Sequence, residues 1–336
     1  MMHRKKTIWI LLLVVVLAMT GCIQGKGEGA DVGTEDQKKE ITVALDWTPN
    51  TNHTGMYVAL EKGYYRDAGL DVTLVQPPEG GSLSMAAAGG AQFAVTFQEE
   101  IAAALTSETP LPVVAVAALV EHNDSGLVSA KEKGILSPRD MEGKKYASWD
   151  TPIEHAILSH IVAMDGGDPA KVNFIPNTVT DAVSALQTDT DLIWIYYSWD
   201  GIATELAGLE TNYIELRSID PVLDFYTPVL AAGEQFLTED PKTAKAFLAA
   251  TRKGYQDAIS DPAGAAEILL KHAPELDAEL VKASQAYLSP RYQAEKATWG
   301  TIDESRWKAF YDWMYENDLI PVELGSKGFT NDFLPE

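Results

Sequence analysis

Cysteine is almost absent from this 336-residue chain, since Cys22 is the only one. A single cysteine cannot form an internal disulfide, so a framework of disulfide bridges is excluded. Basic residues are also scarce, with 26 Lys and Arg against 49 Asp and Glu and a formal net charge of −23. Binding to nucleic acid or to an anionic lipid surface depends on Lys and Arg. The charge therefore excludes nucleic acid as a partner and disfavours a broad contact with lipid headgroups.

The common signatures of enzymes are missing as well. The chain has no Gly-x-Ser-x-Gly elbow, no His-Glu-x-x-His motif and no glycine-rich loop before a Lys-Ser/Thr pair. His155 and His160 are five residues apart, which places them off a common helical face. We therefore expect a protein without a cofactor, a metal site or a catalytic group.

Long apolar runs are confined to the N-terminus. A basic stretch at residues 3–6 precedes an uncharged apolar run at residues 7–19, which is shorter than the ~20 residues of a membrane span. Thr20, Gly21 and Cys22 follow, and residues 17–22 resemble a bacterial lipobox. This order predicts a signal peptide at residues 1–21 and lipidation of Cys22. The alternative is a plain secretory signal with an incidental cysteine. In either case we expect an extracytoplasmic protein, held to the cell membrane by lipid in the first case.

The rest of the chain divides into a tether and a folded part. Residues 22–39 are rich in glycine and charge, which predicts a flexible tether. From Glu40 onward, strand and helix patterns alternate, and this alternation predicts an α/β architecture with parallel sheets. Two stretches suit a chain that crosses between lobes, at 126–130 and 226–232. We expect one lobe from residues 40–128 and 228–336, and a second from residues 129–227.

Polar and aromatic residues cluster at the ends of four predicted strands, at 41–47, 93–97, 144–149 and 192–197. Ligands of open α/β sheets bind beyond the carboxyl ends of the strands. Aromatic faces stack on a flat ring, and carboxylates accept hydrogen bonds from its N–H groups. The pattern therefore predicts a site for a nitrogen-containing ring. The candidates are Asp46, Trp47, Asn50, His53, Gln98, Glu99, Glu100, Trp149, Glu154, Tyr197, Trp199 and Asp200.

Each candidate also has a purely structural interpretation. Trp149 could cap the core, and Glu154 could complete a capping box with Thr151 at the start of a helix. Glu99 opens a helix, where the helix dipole alone favours an acid. A lone histidine such as His53 is more often a structural hydrogen-bonding residue than a catalyst.

One segment carries a specific resemblance. Residues 45–55 (LDWTPNTNHTG) resemble the substrate-binding proteins of ABC importers for thiamine pyrimidine precursors, and the likeness extends over about 41–335. Further matching segments are 61–65 (EKGYY), 69–72 (GLDV), 76–78 (QPP), 98–99 (QE), 194–199 (WIYYSW), 226–229 (YTPV) and 329–331 (FTN). The resemblance implies a type II periplasmic-binding-protein fold with a ligand cleft between two α/β lobes.

The resemblance also implies a ligand and partners. The implied ligand is N-formyl-4-amino-5-aminomethyl-2-methylpyrimidine. We expect it to be bound by Trp47, Asn50, His53, Gln98, Glu99, Trp149, Glu154, Tyr197, Trp199, Asp200 and Tyr226. The implied partners are an ABC permease and its ATPase, and we expect the protein to be a monomer. Two alternatives stay open: a riboflavin-binding protein of a related importer, and a pyrimidine-synthase-like enzyme whose reactive histidine His53 resembles. Asp200 stands where the family pattern has Glu or Thr, so its shorter side chain changes the expected contact.

Overall fold

Two five-stranded sheets contain the ten strands of the described residues, which are 38–77, 81–177, 179–188 and 190–335 of this computed structural model. The strands are β1 (Lys39–Ala44), β2 (Leu70–Val75), β3 (Phe93–Thr96), β4 (Val113–Ala118), β5 (Ser125–Ala130), β6 (Lys145–Ser148), β7 (Asn173–Pro176), β8 (Leu192–Tyr196), β9 (Thr211–Glu215) and β10 (Val229–Gly233). The order is β2-β1-β3-β10-β4 in the first sheet and β7-β6-β8-β5-β9 in the second. Each sheet is the centre of one lobe, which confirms the predicted α/β architecture.

Strand direction follows the same pattern in both sheets. In the first sheet β10 runs antiparallel to both neighbours, and in the second β5 does so, while the other four strands of each sheet share one direction. The chain enters β5 and β10 directly after it has crossed from the other lobe. Both crossing segments therefore lie side by side at one edge of the cleft, where they can act as a hinge.

The first crossing lies earlier than the sequence pattern predicted. Residues 119–124 join β4 to β5, and β5 pairs with β8 and β9 over its length. Residues 125–128, which we expected in the first lobe, therefore belong to the second. The first strand was predicted at 41–47 but spans Lys39–Ala44, and Lys39 already pairs with Leu70. The predicted signal peptide, the tether as far as residue 37 and Cys22 lie outside the described residues.

Helices cover both faces of the sheets. They are α1 (Thr54–Glu61), α2 (Tyr64–Asp67), α3 (Ser82–Ala87), α4 (Gln98–Thr106), α5 (Pro152–Met164), α6 (Ala182–Leu186), α7 (Ile202–Leu206), α8 (Leu216–Ile219), α9 (Glu234–Glu239), α10 (Pro241–Ser260), α11 (Pro262–His272), α12 (Ala278–Leu288) and α13 (Glu304–Glu316). None of the helices in the described part of the chain is both long and apolar enough to cross a membrane. A π-helical turn at Tyr197–Gly201 joins β8 to α7.

The last helix packs against both lobes. Phe310 of α13 stacks on Phe225 with ring centroids 4.2 Å apart, and Trp313 meets His160 of α5 at 5.5 Å. Trp307, on the same helix, contacts Tyr226 beside the return crossing. Through these three aromatic side chains α13 contacts both the second lobe and the return crossing.

Candidate ligand-binding cleft

Three adjoining cavities lie where the carboxyl ends of β1, β3, β6 and β8 meet between the lobes. Cavity 1, of about 410 Å³, is lined mainly by Phe97, Glu99, Glu100, Trp149, Glu154, Trp194 and Tyr196. Cavity 2, of about 290 Å³, is lined mainly by Asp46, Trp47, Asn50, Phe97, Tyr196, Trp199 and Asp200. Cavity 3, of about 300 Å³, lies behind Asp46, Phe97 and Glu100. Phe97 borders all three, so together they form one branched cleft.

Cavity 1 offers an aromatic wall and two polar atoms that no described residue satisfies. The rings of Trp149 and Trp194 meet with centroids 5.9 Å apart at 46°. The Nε1 donor of Trp194 and the Oε2 atom of Glu99 are both buried without a hydrogen-bond partner among the described residues. Buried polar groups are nearly always paired in native proteins. These two atoms are therefore available to a ligand.

The protonation state of the Glu99 carboxyl determines which hydrogen-bonding groups of a ligand it can bind. Burial raises the pKa of Glu99 to about 8, and the neighbouring Glu100 adds to the rise. At neutral pH the group is therefore mostly protonated, and a neutral carboxyl both donates and accepts. Such a group matches a ring on which a nitrogen acceptor and an amino donor are adjacent.

Glu154 lines cavity 1 but has little capacity left for a ligand. Its Oε1 accepts from the Tyr146 hydroxyl at 2.6 Å, and its Oε2 accepts from the Ser148 hydroxyl at 2.7 Å. The backbone N–H groups of Trp149 and Asp150 donate to the same carboxylate at 3.2 and 3.1 Å. These four bonds account for the usual lone-pair sites of a carboxylate. The carboxylate thus fixes the turn that carries Trp149. The sequence had predicted either a direct contact with the ligand or a capping box for this residue.

Cavity 2 combines two tryptophans with two acids. Trp47 and Asp46 follow β1 on the first lobe, whereas Trp199 and Asp200 lie in the π-helical turn of the second lobe. Trp47 is 49% exposed, an unusual exposure for so large an apolar side chain. Burial raises the pKa of Asp200 to about 6. Asn50 lines the cavity too, with its side chain held by Thr48 and Asn52.

His53 lies behind cavity 2 rather than in it. Its side chain is fully buried, with Nε2 2.6 Å from Oδ1 of Asp46. The backbone N–H of Asn50 donates to His53 Nδ1 at 3.2 Å, so Nε2 carries the proton of the neutral ring. Contrary to the sequence prediction, His53 reaches the cleft only through Asp46, whose carboxylate it orients.

Gln98 and Tyr226 clamp the hinge and do not line the cleft cavities. Gln98 Oε1 accepts from the Tyr226 N–H at 2.9 Å, and the Gln98 N–H donates to the Tyr226 carbonyl at 3.1 Å. Gln98 Nε2 donates to the Trp307 carbonyl at 2.9 Å. The Arg306 guanidinium lies 3.7 Å from the centre of the Tyr226 ring. Both residues were expected in the ligand site, but they tie together segments that are far apart in sequence.

Tyr197 points away from the cleft cavities as well. Its N–H donates to the Asp124 carbonyl at 3.1 Å, and the Ser198 N–H donates to Asp124 Oδ2 at 2.9 Å. These bonds form the π-helical turn, which rotates the Tyr197 ring onto Tyr213 and Tyr287. The same turn brings Trp199 and Asp200 to cavity 2.

Sequence reasoning missed four aromatic residues of the cleft, namely Phe97, Trp194, Tyr196 and Phe225, and one signal could have found two of them. Trp194 and Tyr196 alternate along β8 and therefore share a face of the strand. They were not among the candidates because only residues after the strand ends were considered. Phe97 follows β3 directly and separates the cavities, but it carries no polar atom that would mark it in the sequence.

The charge of the cleft has one sign. Its described lining contains no Lys, Arg or His but five acidic residues, Asp46, Glu99, Glu100, Glu154 and Asp200, of which Glu99 is mostly protonated at neutral pH. An anionic ligand would face these groups without a compensating cation. The cleft is suited to a neutral or positively charged aromatic ligand.

Known proteins of similar sequence and structure have this architecture. The chain is 27% identical over 322 residues to a formylaminopyrimidine-binding protein of Halalkalibacterium halodurans, covering 93% of this chain and 94% of that protein. It is 25% identical to a 4-amino-5-hydroxymethyl-2-methylpyrimidine phosphate synthase of Legionella pneumophila, covering 71% and 75%. The periplasmic aliphatic sulphonate binding protein SsuA from Escherichia coli shares the fold with a TM-score of 0.68 at 17% identity, covering 86% and 91%. The family described as NMT1/THI5 like matches residues 50–265, and this chain belongs to it.

Proposed function

We propose that this protein is the solute-binding component of an ABC importer and that it captures a thiamine pyrimidine precursor outside the cell. The ligand is N-formyl-4-amino-5-aminomethyl-2-methylpyrimidine. The observation that carries the proposal is cavity 1, with its tryptophan wall and the unpaired atoms Glu99 Oε2 and Trp194 Nε1. The relative from Halalkalibacterium halodurans, which carries the name of a formylaminopyrimidine-binding protein, supports this choice of ligand.

The ring is recognised by stacking and by a paired hydrogen bond. The pyrimidine packs against Trp149 and Phe97, while its amino group and adjacent ring nitrogen pair with the neutral Glu99 carboxyl. The Trp194 N–H donates to a further acceptor of the ligand. Because both lobes contribute to the cavity, the ligand favours the closed state of the hinge, which the permease then recognises.

The surroundings of His53 favour binding over catalysis. If the protein were instead a pyrimidine-synthase-like enzyme, this histidine would have to react with a compound bound in the cleft. Here its side chain is fully buried, and both ring nitrogens are engaged by Asp46 and by the Asn50 N–H. The enzyme alternative would also require bound pyridoxal phosphate as a reactant. The acidic lining disfavours this compound, because the described lining offers no cation to its phosphate.

Calorimetric titration of the purified protein tests the proposal. We expect the formylated and free aminopyrimidines to bind, and the phosphate ester and pyridoxal phosphate to bind at least about a hundredfold more weakly, a difference of ~3 kcal/mol. Equal or tighter binding of the phosphorylated compounds would contradict the proposal. In that case, product formation with pyridoxal phosphate and iron would establish the enzyme alternative. Tighter binding of riboflavin would instead assign the protein to the related vitamin importers.

Two variants of Glu99 test the ring contact. An amide both donates and accepts, so Glu99→Gln should keep the affinity for the formylated pyrimidine within about threefold. Glu99→Ala removes the hydrogen bonds and should weaken binding about tenfold or more. Equal affinity of Glu99→Ala and wild type would show that the ring lies elsewhere in the cleft.

A further inference from the structure

We propose that cavity 2 is a subsite for a positively charged nitrogen group carried by the same ligand whose ring occupies cavity 1. This inference rests on the function proposed above and extends it. It adds to the neutral formyl compound, which fills cavity 1 alone, a second class of ligand in which an aminopyrimidine carries an ammonium or azolium group on a short linker.

The first argument is the position of the two acids. Asp46 follows β1 on the first lobe, and Asp200 lies after β8 on the second, yet both line cavity 2. The described lining of this cavity contains no Lys, Arg or His, and the partner of Asp46 is His53, which lies behind the cavity. A cation bound in cavity 2 is attracted to both carboxylates, and because they belong to opposite lobes this attraction favours the closed state.

The second argument is the pair of indole rings. Trp47 and Trp199 also come from opposite lobes and line the same cavity. Tryptophan is the side chain that binds cations most strongly through its ring face, and the effect grows when water is excluded. Trp47 is 49% exposed, so much of its surface is open to a ligand. Aromatic faces combined with carboxylates are the usual environment of bound ammonium groups.

The third argument is the connection between the cavities. Phe97 and Tyr196 line both cavity 1 and cavity 2, so the two spaces meet at these side chains. A ring held in cavity 1 can therefore extend a substituent past them. The volumes of about 410 and 290 Å³ also exceed what one substituted pyrimidine ring needs. The second volume takes the charged end of a longer ligand.

A pair of ligands that differ only in charge tests the subsite on the wild-type protein. One is the 4-amino-2-methylpyrimidine with a trimethylammoniomethyl group at position 5, and the other carries the neutral neopentyl group of the same shape. We expect the charged compound to bind at least tenfold more tightly by calorimetry. Equal affinities, or a preference for the neutral compound, would overturn the inference.

A variant then assigns the effect to cavity 2. Asp200→Asn should weaken the binding of the charged compound at least about tenfold, and the same loss is expected for thiamine, which serves as an azolium probe. The affinity for the neutral N-formyl pyrimidine should stay within about threefold of wild type. The control is Asp150→Asn, which removes an exposed carboxylate of the same lobe that pairs with His155 and does not line the cavity. Equal losses for charged and neutral ligands in Asp200→Asn would overturn the subsite alone. Failure of every pyrimidine to bind the wild type would overturn the proposed function as well.

Discussion

The Nε2 atom of His53 lies 2.6 Å from Oδ1 of Asp46, and this pair joins a fully buried ring to a carboxylate of the cleft. The histidine also accepts the backbone N–H of Asn50, which fixes the proton on Nε2. The motif at residues 45–55 thus has a physical reason for its spacing. The short helical turn at Thr51–His53 returns the imidazole to the acid seven residues before it.

His53→Ala should destabilise the fold. The substitution leaves the Asn50 N–H and the Asp46 carboxylate without their partner, at about 1–3 kcal/mol for each buried group. Urea denaturation of the wild type and the variant measures the loss. His272→Ala is the control, because its ring pairs with Glu61 near the surface and such pairs contribute about 0–1 kcal/mol. Equal losses in the two variants would contradict the role assigned to His53.

Glu99→Gln should stabilise the protein without ligand, and more so at higher pH. The pKa of Glu99 is raised to about 8 by burial, so between pH 5 and 8 the folded state binds more protons at this group than the unfolded state does. Stability of the wild type at this site therefore falls as pH rises through that range. Glutamine does not ionise, so the variant does not lose stability at this site as pH rises. Thermal denaturation at pH 5, 6.5 and 8 should show a growing advantage of the variant, with the exposed Glu132→Gln as control.

His122→Gln should remove a contribution to stability that depends on pH. Asp224, with Oδ2 2.6 Å from Nδ1, and Glu295 raise the pKa of His122 above its ordinary value. The protonated ring therefore stabilises the folded state below pH 6.5, and this contribution is lost as pH rises through the raised pKa. The wild type should exceed the variant in melting temperature at pH 6 and lose this advantage by pH 9. A difference that does not change with pH would contradict the prediction.

Trp149→Ala should weaken ligand binding much more than folding. The side chain is 42% exposed and contacts Trp194 at the wall of cavity 1. Loss of one stacking face should cost roughly 1–3 kcal/mol of binding free energy. The control is Tyr315→Ala, a similarly exposed aromatic residue (43%) of α13 that lies outside the cleft lining. Binding by Trp149→Ala within twofold of wild type would assign this tryptophan to the core.

Cys22→Ser should release the protein from membranes. The prediction rests on the apolar run at residues 7–19 and on the Thr20-Gly21-Cys22 end of the predicted signal. A lipid chain needs the cysteine thiol, so the serine variant should appear in the soluble fraction after cell fractionation. Unchanged membrane association of the variant would rule out this anchor.

Local signals in the sequence mark the starts of two helices in the C-terminal half. Asp240 and Asp261 accept hydrogen bonds from backbone N–H groups at the starts of α10 and α11, and a proline follows each of them. These signals act within four residues, so they can be read without tertiary contacts. The pattern at 56–68 predicts one helix that Gly69 ends, but the structure divides this stretch into two helices. Gly63, at φ +77°, separates α1 from α2.

Contacts between distant segments decided which candidates reach the cleft. Gln98 and Tyr226 bind each other across 128 positions, and Asp124 holds the turn that diverts Tyr197. Hydrogen bonds between such distant segments produce no periodic pattern in the sequence, so the sequence could not predict them.

The sequence by itself determined the strand–helix alternation and the placement of acids and tryptophans at strand ends, because both depend on local periodicity. Only the tertiary structure decided that Glu154 is saturated by four donors while Glu99 Oε2 is left unpaired. Both are acids in the first turn of a helix that follows a strand, and local sequence cannot distinguish them. The difference arises from their neighbours. Tyr146 and Ser148 of β6 donate to Glu154, whereas Oε2 of Glu99 is buried without a donor and burial raises the pKa of this carboxyl.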